Sequence, residues 1–275
     1  MSFSVLMSVY HGTAGADLVR CLQSLLQQEK NAGQIILVQD GPISLEVQSI
    51  ISEFDSSLPI EKLIFHENRG LGLALRDGLQ ACRYELVARV DTDDTSLPHR
   101  FAIQTQYLES HPEISVVGSW MREHFVQGDQ TKSKIRQPPT DDSRLRAYAK
   151  HRNPLNHPTV MFRQSDILSV GGYQPCLMFE DYFLWGRLLR EDYRIANLNS
   201  ILVETTVDLD YFQRRGGLSY LKHEIALVGR FIKLGFFSRV DALKFLSMRI
   251  PIRLLPNPIR KILYYSALRA PSPEV

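Results

Sequence analysis

At 275 residues with 44% hydrophobic content, the chain is too long for a minimal domain and too apolar to be disordered, so one large domain with an appendage is expected. Its three cysteines, Cys21, Cys82 and Cys176, are widely spaced with no CxxC pair, which argues against a zinc site or disulfide framework and for buried thiols. The net charge of +2 hides an asymmetry: residues 1–210 hold 20 Lys+Arg against 27 Asp+Glu, and residues 211–275 hold 12 against 3.

The N-terminus lacks a basic n-region, and its apolar run Phe3–Val9 reads as a buried strand, not a signal peptide. Leu18, Leu22, Leu25 and Leu26 then recur at helical spacing. Gln34–Gln39 is a second strand, stopped by Asp40-Gly41-Pro42, and Leu45, Val47, Ile50, Ile51 and Phe54 give another helical stripe. Ile60–His66 is a third strand, Gly70–Cys82 a helix, Leu86–Val90 a fourth strand, and Pro98–Ser110 a helix. This alternation predicts βαβ units and a parallel sheet covered on both faces. In such sheets ligands sit beyond the carboxyl ends of the strands, which sets the loops Tyr10–Gly12, Asp40–Pro42 and Asp91–Ser96 side by side.

Ile114–Gly118 is a fifth strand, and residues 127–157 are polar and irregular, a mobile loop or a partly helical insert. Pro158–Arg163 is a strand near the site, Gly171-Gly172-Tyr173 a turn, Tyr182–Arg190 a helix, and Arg194–Val207 a strand. No stretch of about 18 uncharged apolar residues occurs, so nothing is expected to span a bilayer as a simple helix.

Two acidic clusters carry the chemistry. Asp91-Thr92-Asp93-Asp94 crowds three carboxylates at the end of a buried strand, where like charges repel unless a cation compensates. Mg²⁺ and Mn²⁺ take one or two protein carboxylates and complete their shells with phosphate and water, so Asp-x-Asp suits a metal–diphosphate clamp. A solvated acidic turn is the plain alternative. The second cluster, Glu180-Asp181, precedes the aromatic-rich Tyr182-Phe183-Leu184-Trp185. Alone it reads as a helix N-cap; functionally, one carboxylate is a general base.

Together with Ser8-Val9-Tyr10-His11-Gly12, Gln39-Asp40-Gly41, Glu67-Asn68-Arg69-Gly70-Leu71-Gly72, Pro98-His99-Arg100, Asn156-His157-Pro158-Thr159 and Gly171-Gly172-Tyr173, these segments resemble family 2 glycosyltransferases over roughly residues 3–215, with a flavour of bacterial surface-polysaccharide enzymes. The resemblance implies an α/β GT-A fold: a Rossmann-like, mostly parallel sheet with flanking helices. It implies a catalytic domain over 1–215, with a nucleotide-binding half about 1–97 and an acceptor half about 98–215, followed by a C-terminal helical extension over 216–275. It gives Val9, Tyr10 and Asp40 the nucleotide base. Arg69 falls near base or diphosphate, with a surface arginine in a turn as the alternative. Asp91 and Thr92 go to the nucleotide, Asp93 with Asp91 to Mn²⁺ or Mg²⁺, Asp181 to the catalytic base, and Glu180 to the acceptor. His157 touches donor or acceptor, unless it is structural, and Trp185 is expected in the core.

The reaction so implied is inverting transfer of a sugar from a nucleotide-diphosphate donor of the UDP type to a saccharide. Gln213-Arg214-Arg215 is followed by Gly216-Gly217 and lacks the Trp of processive relatives, which argues against a processive synthase. Residues 219–269 mix aromatic, Leu and Ile side chains with Lys and Arg, and prolines are expected to break them into short helical pieces. Such basic amphipathic segments lie on anionic bilayers, or pack on the catalytic domain with their cations solvated. A polyprenyl-diphosphate-linked acceptor at the cytoplasmic face of the cell membrane would explain the first. Nucleic acid fits poorly, since no binding motif accompanies the charge. Two rivals stand beside this reading: a sugar-nucleotidyltransferase, whose Gly-rich loop after the first strand is missing, and a non-catalytic module binding nucleotide sugars or a membrane partner.

Overall fold

The computed structural model describes residues 1–127, 130–207, 216–256 and 270–271. The first half alternates as expected: β1 (Phe3–Val9), α1 (Gly15–Leu26), β2 (Gln34–Asp40), α2 (Leu45–Phe54), β3 (Ile60–Phe65), α3 (Leu71–Ala81) and β4 (Leu86–Arg89). These strands pair in parallel in the order β3-β2-β1-β4. Burial explains the continuous apolar runs. Along β1, Leu6 faces one core while Phe3, Val5, Met7 and Val9 face the other; along β2, Ile36 and Val38 oppose Ile35 and Leu37 in the same way. Both faces are therefore dry, as in sheets covered by crossover helices. β3 is the exception: it closes the sheet's edge and shows polar members to solvent.

Beyond β4 the pairing is mixed. β5 (Asp94–Ser96) leaves the acidic cluster and runs antiparallel to β9 (Arg194–Val207), with Asp94 opposite Thr205. After α4 (Arg100–Ser110), β6 (Ile114–Gln127) pairs with β9 in parallel, and with β8 (Met161–Arg163) in antiparallel fashion, which in turn joins β4. The segment 127–157, read as a mobile loop or a partly helical insert, is partly helical but also holds an unexpected strand: β7 (Gln130–Arg136), antiparallel to β6, precedes α5 (Asp142–Tyr148). β7 escaped notice because it has few apolar residues; Lys132 and Lys134 mark it as the kind of strand that lies near an edge, where charge discourages aggregation. Pro158–Arg163, expected as one strand, opens with a 3₁₀ turn, His157–Thr159, before β8.

α6 (Gln164–Ser169) and α7 (Glu180–Arg190) precede β9, and α8 (Gly217–Leu234) and α9 (Arg239–Leu254) follow it. α8 packs onto α7 through an aromatic nest. Phe231 is fully buried, with ring centroids 5.1 Å from Tyr182, 5.0 Å from Phe236 and 4.7 Å from Phe237. Gly186 makes this approach possible, because a Cβ there would fall 2.4 Å from Phe231 Cε1. The helical pair thus shares a core with the catalytic body.

The prolines were expected to break this segment into short pieces. Instead Pro251 sits inside α9, near its end, where the N–H it lacks is withheld from the carbonyl of the exposed Ser247. The expectations for 257–269 and for Gln213-Arg214-Arg215 fall outside the described residues. Among the described residues, no helix is long and apolar enough to cross a membrane.

Candidate active site

A cavity of about 980 Å³ opens where β5, β6, β7, β9, α7 and α9 converge. Asp91, Asp93 and Asp94 line one part of it; Glu180, Asp181 and His157 line another. The two acidic clusters, some 90 residues apart in sequence, therefore face one space.

The first cluster is built on two buried cations: Arg89, which sequence reading missed, and Arg100, which it expected to pair with the acids. Arg89 is 1% exposed, and its guanidinium bonds Val90 O and the Asp91 carboxylate. Arg100 is also 1% exposed, but forms no ion pair with the acids. It donates to Arg89 O at 2.7 Å, Ser96 Oγ at 2.9 Å and Gln104 Oε1 at 3.1 Å, and so braces the strand end from beneath. Burial lowers its pKa to about 9.

Asp91 has its arginine, whereas Asp93 points to the cavity without a side-chain donor among the described residues. Asp93 is exposed to the cavity, and lost hydration between its walls, followed by the charge of Asp91, raises its carboxyl to about 6. Asp94 is buried beside Thr205, and burial with its two acidic neighbours holds it well above the usual carboxylate range. This pattern is what a missing positive charge produces. Among the described residues, no group of three or more His, Cys, Asp or Glu is placed to hold a metal unaided. Asp93, with Asp91 alongside, fits an ion whose remaining ligands are phosphate and water.

The second cluster opens α7. Asp181 Oδ2 accepts from Asn153 Nδ2 at 2.5 Å, and Oδ1 from its neighbour's amide, Tyr182 N, at 2.7 Å. The Asn153-Pro154 turn that sequence reading passed over therefore orients the candidate base. Glu180 packs against Gly72 at the start of α3, where an added Cβ would lie 2.8 Å from its Cγ. Burial raises its carboxyl to about 7. His157 Nε2 and the Tyr173 hydroxyl are 2.9 Å apart, and burial lowers the histidine's pKa, keeping it neutral. Tyr173, from the Gly171-Gly172-Tyr173 turn, is thus a buried anchor for His157. Trp185 is fully buried, as expected, and the three cysteines are free and buried.

Asp91 apart, the predicted nucleotide residues lie outside the cavity lining, at or beside the neighbouring strand ends. Because β1 sits between β4 and β2, Asp91, Val9-Tyr10 and Asp40 follow the ends of adjacent strands. Tyr10 is 42% exposed and available for stacking. Asp40 is buried; its two oxygens accept from Arg69 N and Gly70 N, each at 2.9 Å. It fixes the loop that carries Arg69, whose guanidinium pairs with Asp77 at 2.9 Å and lies 3.5 Å over Phe65. Thr92 is half-buried between Asp91 and Asp93.

The sequence model for Glycosyl transferase family 2 matches residues 4–171. The chain is 36% identical over 262 residues to the amylovoran biosynthesis glycosyltransferase AmsE of Erwinia amylovora, covering 95% of this chain and 97% of that one. It is 33% identical to the UDP-Gal:alpha-D-GlcNAc-diphosphoundecaprenol beta-1,3-galactosyltransferase of Escherichia coli, over 97% of this chain and 96% of that one. In fold it resembles Staphylococcus aureus TarS 1–349 in complex with UDP-GlcNAc. The TM-score is 0.61 at 17% identity, with 91% of this chain and 75% of that chain covered.

Proposed function

The chain belongs to glycosyl transferase family 2, and on that premise we propose that it moves a sugar from a UDP-type donor to a lipid-diphosphate-linked saccharide, with inversion, in the assembly of a bacterial surface polysaccharide. The observation that carries this reading is the shared cavity: Asp93, an under-compensated carboxylate, and Asp181, an oriented one, line the same space. The relatives named above support the donor and acceptor classes, one by a printed UDP-sugar and diphosphoundecaprenol acceptor, the other by amylovoran synthesis.

In this reading Asp93, with Asp91, holds Mn²⁺ or Mg²⁺, which when bound neutralises charge developing on the leaving diphosphate. Val9, Tyr10 and Thr92 contact the nucleoside, and Asp40 positions the Arg69 loop beside it. Asp181 accepts the proton of the acceptor hydroxyl as its oxygen attacks the anomeric carbon. The new C–O bond forms as the bond to phosphate breaks, and the nucleoside diphosphate leaves with the bonding pair. With one base on the attacking side, a single displacement inverts the centre. Glu180 binds an acceptor hydroxyl, and neutral His157 contributes a hydrogen bond to donor or acceptor. Residues 1–215 are the catalytic unit in this reading, and the basic extension over 216–275 adds its described helices to the wall of the site.

The outer surfaces of α8 and α9 support a peripheral location at the cytoplasmic membrane face. Leu218, Ile225 and Ile232 on α8, and Val240, Leu243 and Leu254 on α9, are exposed. Lys222, Arg230, Lys233, Arg239 and Lys244 are exposed among them, whereas Glu224 is buried. A surface both apolar and cationic suits anionic lipid.

The function is tested by incubating the protein and Mn²⁺ with a panel of UDP-sugars and lipid-diphosphate saccharides. Release of UDP together with a β- or α-linked product of inverted configuration is expected. Pyrophosphate released in a parallel incubation with UTP and a sugar 1-phosphate would favour the nucleotidyltransferase, and donor binding with no turnover on any acceptor would favour the binding module.

A further inference from the structure

The wall of the cavity formed by α9 and by the loop after α5 carries cations that the displacement itself does not use. We infer that Arg152 and Arg249 form the subsite for the acceptor's diphosphate, with the lipid chain leaving over Leu177, Met178 and Met248. This rests on the transferase reading above and assigns the part of the cavity that reading left open.

Arg249 is held in place before any ligand arrives. Its Nη1 donates to Glu224 Oε1 at 2.9 Å and its Nη2 to His151 O at 3.0 Å, while its Cζ lies 4.5 Å over the Phe245 ring. An arginine has five N–H donors, so these bonds leave others for the cavity. Glu224 is fully buried and is shared: it also accepts from Arg253 Nε and Nη2, each at 2.8 Å. Arg249 thus shares its carboxylate with a second guanidinium, and its remaining N–H groups are open to an anion in the cavity. Arg152 adds a second cation. It lines the same cavity, is exposed, and its guanidinium has no hydrogen bond or ion pair among the described residues.

Chain connectivity fixes where this pair stands relative to the chemistry. His151, bonded by Arg249, and Arg152 are followed directly by Asn153, whose amide holds Asp181. The cations therefore lie along the same loop as the group that orients the base. An acceptor whose reacting hydroxyl meets Asp181 would extend its reducing-end phosphate along this loop. A sugar–diphosphate–prenyl diester carries two negative charges, which two guanidinium forks match in number and in geometry. Beyond them the cavity rim turns apolar. Leu177 is 61% exposed, Met178 40% and Met248 48%, and all three line the opening. Met178 is held at φ 72, a left-handed backbone that L-residues seldom adopt, and it turns the chain just before Glu180 and Asp181. Apolar side chains at a water-facing rim, next to a cationic pair, describe a lipid diphosphate better than a free sugar.

Farnesyl diphosphate, with farnesol as its uncharged counterpart, tests the subsite without knowledge of the sugar. UDP affinity in Mg²⁺ is measured first, because it reports on the donor site alone; an absence of UDP binding would count against the transferase reading. With UDP saturating, farnesyl diphosphate is then titrated into the wild type, Arg152→Ala and Arg249→Gln. The expected result is binding alongside UDP, much weaker binding of farnesol, and a loss of about tenfold or more in each variant, the scale of one charge-assisted hydrogen bond. UDP affinity should be unchanged in all three proteins. Because Arg152 is an exposed side chain, its replacement keeps the test open if Arg249→Gln unfolds. Competition between UDP and farnesyl diphosphate, or equal affinity in Arg152→Ala, would overturn the assignment while leaving the donor site standing.

Discussion

On the proposed mechanism, replacing Asp181 by Asn removes the proton acceptor and little else. The carboxylate is half-buried and held by two donors, Asn153 Nδ2 and Tyr182 N. An asparagine keeps the acceptor for Tyr182 N and loses the bond from Asn153, since two amide NH₂ groups cannot pair there. That local loss is worth about 1 kcal/mol. The catalytic loss is larger: a general base contributes roughly 10²–10⁴-fold, or about 2.7–5.5 kcal/mol of barrier. Steady-state UDP release with saturating donor and acceptor should therefore show kcat reduced by at least about 100-fold in Asp181→Asn, with donor KM within a few-fold. Asn153→Ala, which keeps the carboxylate but frees it, should lose far less. The reasoning fails if Asp181→Asn keeps kcat within tenfold. If Glu180→Gln suffers the large loss instead, the base is the neighbouring carboxyl, which burial has moved to about 7.

The raised pKa of Asp93 has consequences on both sides of binding. A folded-state pKa near 6, above the unfolded value, means the metal-free fold retains a proton that the unfolded chain releases, so this group's contribution to stability falls as pH rises from about 4 to 6. In chelator, Asp93→Asn should accordingly melt above the wild type at pH 7.5, with the gap narrowing by pH 4.5; a gap that does not depend on pH would refute the assignment. A cation must displace the same proton, so apparent Mn²⁺ affinity measured with UDP should fall about tenfold per pH unit below 6 and level off above 7. On the packing side, Phe231→Ala empties the centre of the nest between α7, α8 and α9 and should cost about 3–5 kcal/mol in urea unfolding, whereas loss of less than 1 kcal/mol would mean the helical pair does not share the catalytic core.

The first half of the fold was legible because its strands are dry on both faces. Runs such as Ile35-Ile36-Leu37-Val38, punctuated by Asp40-Gly41-Pro42, leave few alternatives to βαβ. β5 and β7 were not legible, for a shared reason. Asp94–Ser96 is polar and gains its place by pairing with Val203, Glu204 and Thr205 on a distant strand and by bonds to Ser24 and Gln28, and Gln130–Arg136 is stabilised by β6 rather than by an apolar face of its own. The acidic clusters could be seen in sequence because carboxylates gathered after a buried strand are costly unless something compensates them. Their supports could not. Arg89 sits inside an apolar strand, and Asn153 sits in a loop that looks like any Asn-Pro turn; only the fold brings them to Asp91 and Asp181. The tail had two readings in sequence, packed or membrane-facing. Phe231 and Gly186 place the inner face of α8 against the core, while the exposed apolar and cationic residues occupy the outer face.

Calorimetric titration of UDP into the wild type and Asp93→Ala, each in Mn²⁺ and in excess chelator, probes the joint grip of cation and diphosphate. Tight binding is predicted only for the wild type with Mn²⁺, with Asp93→Ala and the chelated protein equally weak. UDP bound as tightly in chelator, or by Asp93→Ala in Mn²⁺, would contradict it.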